Sequence, residues 1–131
     1  MGVRELRVVV TAEDYEAALR FYRDVLGMGE LADFSSEEGR VRLLDGGRAT
    51  LEIIDARQAE FIDRVEVGRR VAPHIRLAFE VADTVRVTGE LVAAGAEVVA
   101  EPTRTPWGSL NARLQGAAGV QLTLFEELGS A

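Results

Sequence analysis

The chain has 131 residues, of which 47% are hydrophobic and 28% are charged, which is typical of one globular domain. The absence of cysteine excludes disulfide bonds, thiolate nucleophiles and zinc sites built from cysteine. The net charge of −7 argues against a general nucleic-acid interface, because phosphate binding needs surplus positive charge. All 15 basic residues are Arg, so lysine Schiff-base chemistry is excluded as well.

The sequence predicts neither secretion nor membrane insertion. The N-terminal residues lack the apolar core of a signal peptide, and no apolar run approaches the ~18 residues of a membrane span. We therefore expect a cytoplasmic protein without membrane or nucleic-acid partners. His74 is the only histidine, so a histidine-rich metal cluster is excluded.

The first half of the chain has the pattern of a strand, a helix and three further strands. A β-branched run at 6–10 precedes a helical pattern, with Asp14 as its predicted N-cap and Gly27 as the residue that ends it. The apolar positions of this pattern are Tyr15, Ala18, Leu19, Tyr22, Val25 and Leu26. The three further strand-like runs are 29–34, 40–44 and 49–54.

The same order restarts after Pro73, with a strand at 75–81 and a helix that begins after Asp83 and ends at Gly95. Three more strand-like runs follow at 97–101, 108–114 and 120–125. The intervening segment 55–72 is polar and rich in Arg, and it lacks the alternation of a strand. We interpret it as a connector with room for one helical turn.

The two halves form an internal repeat. Arg7 aligns with Arg76, 69 residues later, and Glu52 aligns with Thr123, 71 residues later. We therefore predict an α+β fold of two tandem βαβββ modules whose mixed sheets form a cup. The predicted boundaries are 4–55 and 73–127 for the modules, 56–72 for the connector and 1–131 for the single domain.

Alternation along the strands predicts which side chains enter the cup. In each run one face is almost purely aliphatic and is expected to lie under a helix. The polar residues of the opposite face are Arg7, Glu52, His74, Arg76, Glu80, Gln121 and Thr123. Small apolar residues lie between them, and such a mixture is typical of a ligand site.

Three motifs resemble those of a known superfamily. They are Asp14 followed by the segment LRFYRDVLGM at 19–28, the segment AFEVAD at 78–83 before a helix ending at Gly95, and Pro-Trp-Gly at 106–108. With them the chain resembles the vicinal oxygen chelate superfamily, which includes glyoxalase I, fosfomycin-resistance enzymes, extradiol dioxygenases and bleomycin-resistance proteins. The Pro-Trp-Gly motif resembles the bleomycin-resistance branch in particular.

The resemblance implies four metal-ligand positions in the cup, which in this chain are Arg7, Glu52, Arg76 and Thr123. A guanidinium has no lone pair to donate and stays charged, so two of these four residues are not ligands. We therefore predict no metal and no other cofactor. The alternative to a metal-free cup is a noncanonical metal site formed by Glu52 and His74, which lies two residues before Arg76.

Two functional hypotheses follow from the resemblance. The first is a metal-independent binding protein for an aromatic or cationic small molecule, antibiotics included. Its predicted ligand contacts are Arg7, Glu52, His74, Arg76, Trp107, Asn111 and Thr123, with Phe34 and Phe61 as further groove walls or core residues. The second is a glyoxalase- or dioxygenase-like enzyme, either with a noncanonical metal or metal-free, with Glu52 or His74 as general base and Arg76 stabilising an enolate.

Two expectations concern assembly and charge. The resemblance implies a homodimer with modules of different chains completing each cup. In the cup, Arg7 and Arg76 either form an ion-pair network with Glu52 and Glu80 or bind an anion or carbonyl group of the ligand.

Overall fold

The computed structural model describes residues 2–25, 27–116 and 119–129. The strands are β1 (Glu5–Thr11), β2 (Glu30–Asp33), β3 (Val41–Asp45), β4 (Thr50–Ile54), β5 (Ile75–Glu80), β6 (Glu97–Arg104), β7 (Ser109–Gln115) and β8 (Gln121–Glu127). The helices are α1 (Tyr15–Leu19), which continues as a π-helical segment over Arg20–Val25, α2 (Ala56–Glu66) and α3 (Thr84–Ala93). None of the helices in the described ranges has the length and apolar composition needed to cross a lipid bilayer.

The eight strands form one curled sheet with the order β2-β3-β4-β1-β5-β8-β7-β6. Strands β1 and β4 pair in parallel, as do β5 and β8 at the equivalent place in the second module. The two modules meet where β1 pairs antiparallel with β5, which places Val9 opposite Arg76. The predicted α+β fold is confirmed, and one chain supplies both halves of the cup.

The face of the sheet opposite to the cup is covered by α1 and α3, as the alternation predicted. Ile53 is buried against α1, and Val81 is buried against α3. The predicted N-caps are confirmed. The Asp14 carboxylate accepts a hydrogen bond from the backbone N–H of Ala17 at 3.0 Å, and the Asp83 carboxylate accepts one from the backbone N–H of Arg86 at 3.1 Å. The repeat in the sequence is thus a repeat of capped helices on half-sheets.

The first helix differs from the prediction after Leu19, where the α-helix gives way to the π-helical segment. Val25, predicted to be buried, is 79% exposed. A π-helix has a wider turn than an α-helix, so side chains spaced for a 3.6-residue period no longer fall on one face. Leu26 of the same predicted pattern lies outside the described residues, as do Ala117 and Ala118 before β8.

The segment 56–72 was wrongly predicted to be a connector with room for one helical turn, because it contains the 11-residue helix α2. The Asp55 carboxylate caps this helix by accepting from the Gln58 N–H at 2.8 Å. Ala59 and Ile62 pack against the cup face of the sheet, where they share a cluster with Val9, Val41, Ile54, Ala78 and Phe125. Helix α2 therefore lies over the cup and forms one wall of the space beneath it.

Candidate functional site

A cavity of about 470 Å³ lies between the cup face of the sheet and α2. Its floor residues, one from each central strand, are Arg7, Glu52, Arg76 and Thr123. Helix α2 supplies Gln58, Phe61, Ile62 and Glu66, and the side walls are Val41, Ala78, Ser109, Asn111, Phe125 and Glu127. The mouth is lined by Phe34, Ser35, Ser36, Pro106 and Trp107. The volume falls within the range of about 300–1,000 Å³ that is usual for small-molecule sites.

Six of the seven predicted ligand contacts line this cavity, namely Arg7, Glu52, Arg76, Trp107, Asn111 and Thr123. Phe34 and Phe61 line it as well. His74 does not line it, because β5 begins at Ile75 and the exposed His74 lies before the alternating part of the strand. The structure therefore gives no support to His74 as a ligand contact, general base or metal ligand.

Arg7 is held by two carboxylates and an aromatic ring. Its Nε and Nη2 atoms donate to Glu5 at 2.9 and 3.1 Å, and its Nη1 lies 3.6 Å from Glu52. Its guanidinium also lies over the ring of Phe125, 4.8 Å from the centroid. Glu80 was predicted to join this ion-pair network, but it forms no ion pair within the described residues. Glu5, which lies directly opposite Glu80 where β1 pairs with β5, forms the ion pair with Arg7 instead.

Arg76 and Glu52 flank Val9 on the two strands beside β1. Arg76 is buried, and its Nη1 donates to the Thr123 hydroxyl at 2.7 Å. Burial raises the pKa of Glu52, although the charges of Arg76 and Arg7 oppose the shift. Within the described residues the Glu52 carboxylate accepts no hydrogen bond. The floor thus combines a desolvated carboxyl group with guanidinium donors.

A second, fully buried charge network ties α2 to the sheet. Arg113 on β7 donates to Asp63 at 2.9 Å, to Glu66 at 2.8 Å and to the Gln121 side chain at 2.9 Å. Glu66 also accepts from the Asn111 amide at 2.7 Å. Because separating any of these partners would leave a buried charge unpaired, the network fixes the position of α2 over the cavity.

Asp63 also holds the segment that follows α2. Its carboxylate accepts from Arg70 and from the backbone N–H groups of Val71 and Ala72, at 2.8, 2.8 and 2.9 Å. Burial alone would raise the pKa of Asp63, but the hydrogen bonds from Ala72, Val71 and Arg113 outweigh burial, and the pKa lies below its usual value. An ionised Asp63 is therefore part of the folded structure at neutral pH.

The sequence interpretation missed two residues that line the cavity, Gln58 and Glu66, and two that hold α2 over it, Asp63 and Arg113. For Arg113 a signal was present, since it follows Asn111 by two residues in a predicted strand and alternation places both on one face. The other three lie on α2, and the sequence held a signal for that helix. Asp55 is a suitable N-cap, and Ala59 and Ile62 follow it at the spacing of a buried helix face.

The residues at the four metal-ligand positions do not fit a divalent metal ion. Arg7 and Arg76 offer no lone pair, and the Thr123 hydroxyl already accepts a hydrogen bond from Arg76. Glu52 alone among the four offers a carboxylate, the oxygen donor that such ions prefer. In the described part of the chain, no three His, Cys, Asp or Glu side chains come together in a way that would hold a metal.

Comparisons with known proteins agree with this fold. The family model described as Glyoxalase/Bleomycin resistance protein/Dioxygenase superfamily matches residues 6–124. Among solved structures, a hypothetical protein from Bacillus halodurans is 18% identical with a TM-score of 0.69, over 95% of this chain and 94% of that chain. Methylmalonyl-CoA epimerase from Mycobacterium tuberculosis is 25% identical with a TM-score of 0.68, over 97% and 90%. A Streptomyces coelicolor methylmalonyl-CoA epimerase variant in complex with 2-nitronate-propionyl-CoA is 22% identical with a TM-score of 0.68, over 98% and 100%.

The family match confirms the superfamily that the motifs indicated. The named structural matches are epimerases and a hypothetical protein, so the bleomycin-resistance branch stays a prediction. No curated protein matched this sequence.

Proposed function

Because the chain belongs to the Glyoxalase/Bleomycin resistance protein/Dioxygenase superfamily but carries Arg at two metal-ligand positions, we propose that it binds a small molecule without a metal. In this it would resemble the bleomycin-resistance branch. The observation that carries the proposal is a cavity with an aromatic mouth and a charged floor. Such a cavity takes a molecule with a flat apolar body and one polar end.

The mouth supports an aromatic ligand. The rings of Phe61 and Trp107 lie 5.9 Å apart between centroids, and Phe34 lines the same opening. Trp107 remains 44% exposed and Phe34 56% exposed, which leaves apolar ring surface in water. A planar molecule that enters the mouth would cover these rings and gain the free energy of burying them.

The floor favours a neutral or electron-rich polar end over a cationic one. Arg7 and Arg76 place two positive charges there, and Glu52 is the carboxyl group that shares the floor with them. A cation would meet repulsion from the guanidinium groups, whereas a carbonyl oxygen would accept from Arg76. We therefore propose an aromatic rather than a cationic compound.

Trp107 makes the proposal directly testable, because it is the only tryptophan. Protein treated with EDTA is screened against aromatic compounds, antibiotics included, by thermal shift and Trp107 emission, and each bound compound is recovered for mass spectrometry. We expect saturable binding at one compound per chain, recovery of the compound unchanged, and weaker binding by Trp107→Leu. Phe21→Leu, an exposed aromatic outside the cavity, is the matched control. Loss of binding on metal removal, or chemical conversion of the compound, would contradict the proposal.

Glu52 supports a second candidate function, a metal-free enzyme. A desolvated carboxylate that accepts no hydrogen bond from the described residues is suited to take a proton from carbon, and Arg76 would stabilise the resulting enolate. The test measures deuterium exchange from D₂O into methylmalonyl-CoA, because the structurally similar epimerases are named for this compound. Exchange that Glu52→Gln abolishes would favour this function, and its absence would favour simple binding.

We also propose that the protein is a homodimer. One chain completes its own cup through the β1–β5 pairing, so the proposed dimer joins complete cups side by side. Phe21, Val25 and Leu31 are exposed apolar residues of the first module and are candidates for the contact. Sedimentation velocity at micromolar concentration should give a dimer, and a monomer would contradict this assembly.

A further inference from the structure

Arg76 is a buried cation without a carboxylate partner. The residue is 6% exposed and lines the cavity floor, and Thr123 is its only hydrogen-bond partner among the described residues. No carboxylate in the described ranges forms an ion pair with its guanidinium. A buried charge is unfavourable unless an opposite charge and hydrogen bonds compensate for it.

The internal repeat shows what this cation lacks. Its counterpart in the first module, Arg7, has two carboxylates beside it, Glu5 and Glu52. The residues that align with these two carboxylates, 69 and 71 residues later, are His74 and Thr123. His74 is exposed and lies before β5, and Thr123 offers only a hydroxyl group. The second module therefore repeats the cation of the first without its carboxylates.

The charges around Arg76 do not compensate for it. Burial and the positive charge of Arg113 lower the pKa of Arg76, and the negative charges of Glu66, Glu52 and Asp63 offset this effect only in part. Glu66 and Asp63 are bound to Arg113 instead, and Glu52 lies on β4, which β1 separates from β5. An anion in the cavity would supply the missing negative charge.

The guanidinium of Arg76 still has N–H groups to donate. Nη1 donates to Thr123, whereas Nε and Nη2 form no hydrogen bond within the described part of the chain. Neither of these two atoms is fully shielded from solvent. A carboxylate can accept from two N–H groups of one guanidinium, as Glu5 does from Nε and Nη2 of Arg7 at 2.9 and 3.1 Å.

We propose that the ligand of this cavity carries a carboxylate on its aromatic body, and that this carboxylate forms an ion pair with Arg76. The inference rests on the proposed binding function. A singly charged carboxylate balances one guanidinium, whereas a dianion such as phosphate would place a further negative charge beside Glu52 and Glu66. An ester or an amide of the same acid offers a carbonyl oxygen to Arg76 but no charge.

The experiment compares 2-naphthoate, methyl 2-naphthoate and 2-naphthamide, which share one aromatic body and differ in the polar end. Binding to the EDTA-treated protein is measured by isothermal titration calorimetry at pH 7. We expect 2-naphthoate to bind about tenfold or more tightly than either neutral compound, because a hydrogen bond between two charged groups is the stronger one. Acetate, which has the carboxylate without the aromatic body, should bind far more weakly than 2-naphthoate.

The variant Arg76→Met tests the assignment to this side chain and should abolish the preference for the acid. Arg86→Met removes an exposed arginine of α3, on the opposite face of the sheet, and should leave the preference unchanged. An NMR measurement on the wild type covers the case in which Arg76→Met does not fold. The Nε–H resonance of Arg76 should shift more with 2-naphthoate than with its methyl ester.

The outcomes separate this inference from the function on which it rests. If the wild-type protein binds the ester or the amide as tightly as the acid, the carboxylate preference is overturned while the aromatic site stands. If acetate binds as tightly as 2-naphthoate, the site takes a free anion and the aromatic acid is overturned. A preference that survives in Arg76→Met, or an Arg76 resonance that responds equally to acid and ester, overturns the assignment to Arg76. If none of the three aromatic compounds binds, the proposed function fails together with the inference.

Discussion

Arg113 is a charged side chain that the fold removes completely from water. A buried charge costs several kcal/mol unless partners and hydrogen bonds compensate for it. Here the partners Asp63 and Glu66 come from α2, and the Gln121 amide comes from β8. One residue therefore joins the helix that covers the cavity to the strands that form its wall.

Replacing Arg113 by Met should destabilise the protein by about 3–5 kcal/mol, because Asp63 and Glu66 would remain buried without their cation. The free energy of unfolding in urea measures the effect. Addition of Glu66→Gln to Arg113→Met should recover part of the loss. Arg64→Met is the control, since the pair of Arg64 with Glu38 is exposed and should contribute less than about 1 kcal/mol. Equal effects of the two arginine substitutions would contradict this account.

The burial of Glu52 predicts the sign of a pH dependence of stability. Its pKa is higher in the folded state than in the unfolded state, so its favourable contribution is complete below the unfolded value and is lost as the pH rises through the folded value. Gln does not ionise. The free energy of unfolding of Glu52→Gln, relative to the wild type, should therefore increase as the pH rises from about 4, and it should then level off. Urea unfolding at a series of pH values tests this, with the exposed Glu60→Gln as control, and a relative stability that falls with pH would contradict it.

At the scale of elements, the features fixed by local chemistry were predictable from the sequence. Alternation placed Arg7, Arg76 and Thr123 on the cup face, and Asp14 and Asp83 marked two helix starts. Each of these signals lies within a few residues of the feature that it predicts. Their agreement between the two halves of the repeat made the fold class accessible without any structure.

Helix α2 was not predictable in the same way, because much of its buried face is charged. Asp63 and Glu66 are buried only because Arg113 meets them, and the Glu66 and Arg113 partners are 47 residues apart in the chain. A local pattern treats such residues as exposed. His74 does not line the cavity, because the prediction extended the alternation one residue beyond the start of β5.

The close packing of α2 against the loop between β2 and β3 gives a test at this scale. A Cβ added at Gly39 would lie 2.4 Å from the backbone N of Gln58, at the start of α2. Gly39→Ala should therefore displace the helix or the loop and destabilise the protein by about 1–3 kcal/mol in urea unfolding. Gly29→Ala meets no atom within 4 Å and serves as the control. Two alanine variants of equal stability would show that α2 is not packed in this way.

At the scale of the whole molecule, the cavity lies at the seam between the two modules. Its floor takes Arg7 and Glu52 from the first module and Arg76 and Thr123 from the second. A ligand bound there would contact both modules and stabilise their association by mass action. The cytoplasmic location expected from the sequence remains a prediction.

The absence of a suitable ligand set predicts the metal content of the protein. Protein purified without chelators should hold far less than one divalent ion per chain, and EDTA should leave its Tm unchanged, because Arg7 and Arg76 occupy two of the four ligand positions. Elemental analysis and a thermal melt measure the two quantities. About one tightly bound Zn, Ni, Fe or Mn per chain would require a metal site that the described residues do not provide.

The central claim, that this cavity takes an aromatic molecule without a metal, is tested most directly by mapping where such a molecule binds. The measurement is a ¹H–¹⁵N NMR titration of EDTA-treated protein with two neutral aromatic compounds, 2-naphthamide and methyl 2-naphthoate. The account predicts saturable shifts at the Trp107 indole N–H, the Arg76 side chain and Thr123, with α3 unaffected. Shifts that are absent, or that are confined to the exposed surface around Phe21 and Val25, would contradict it.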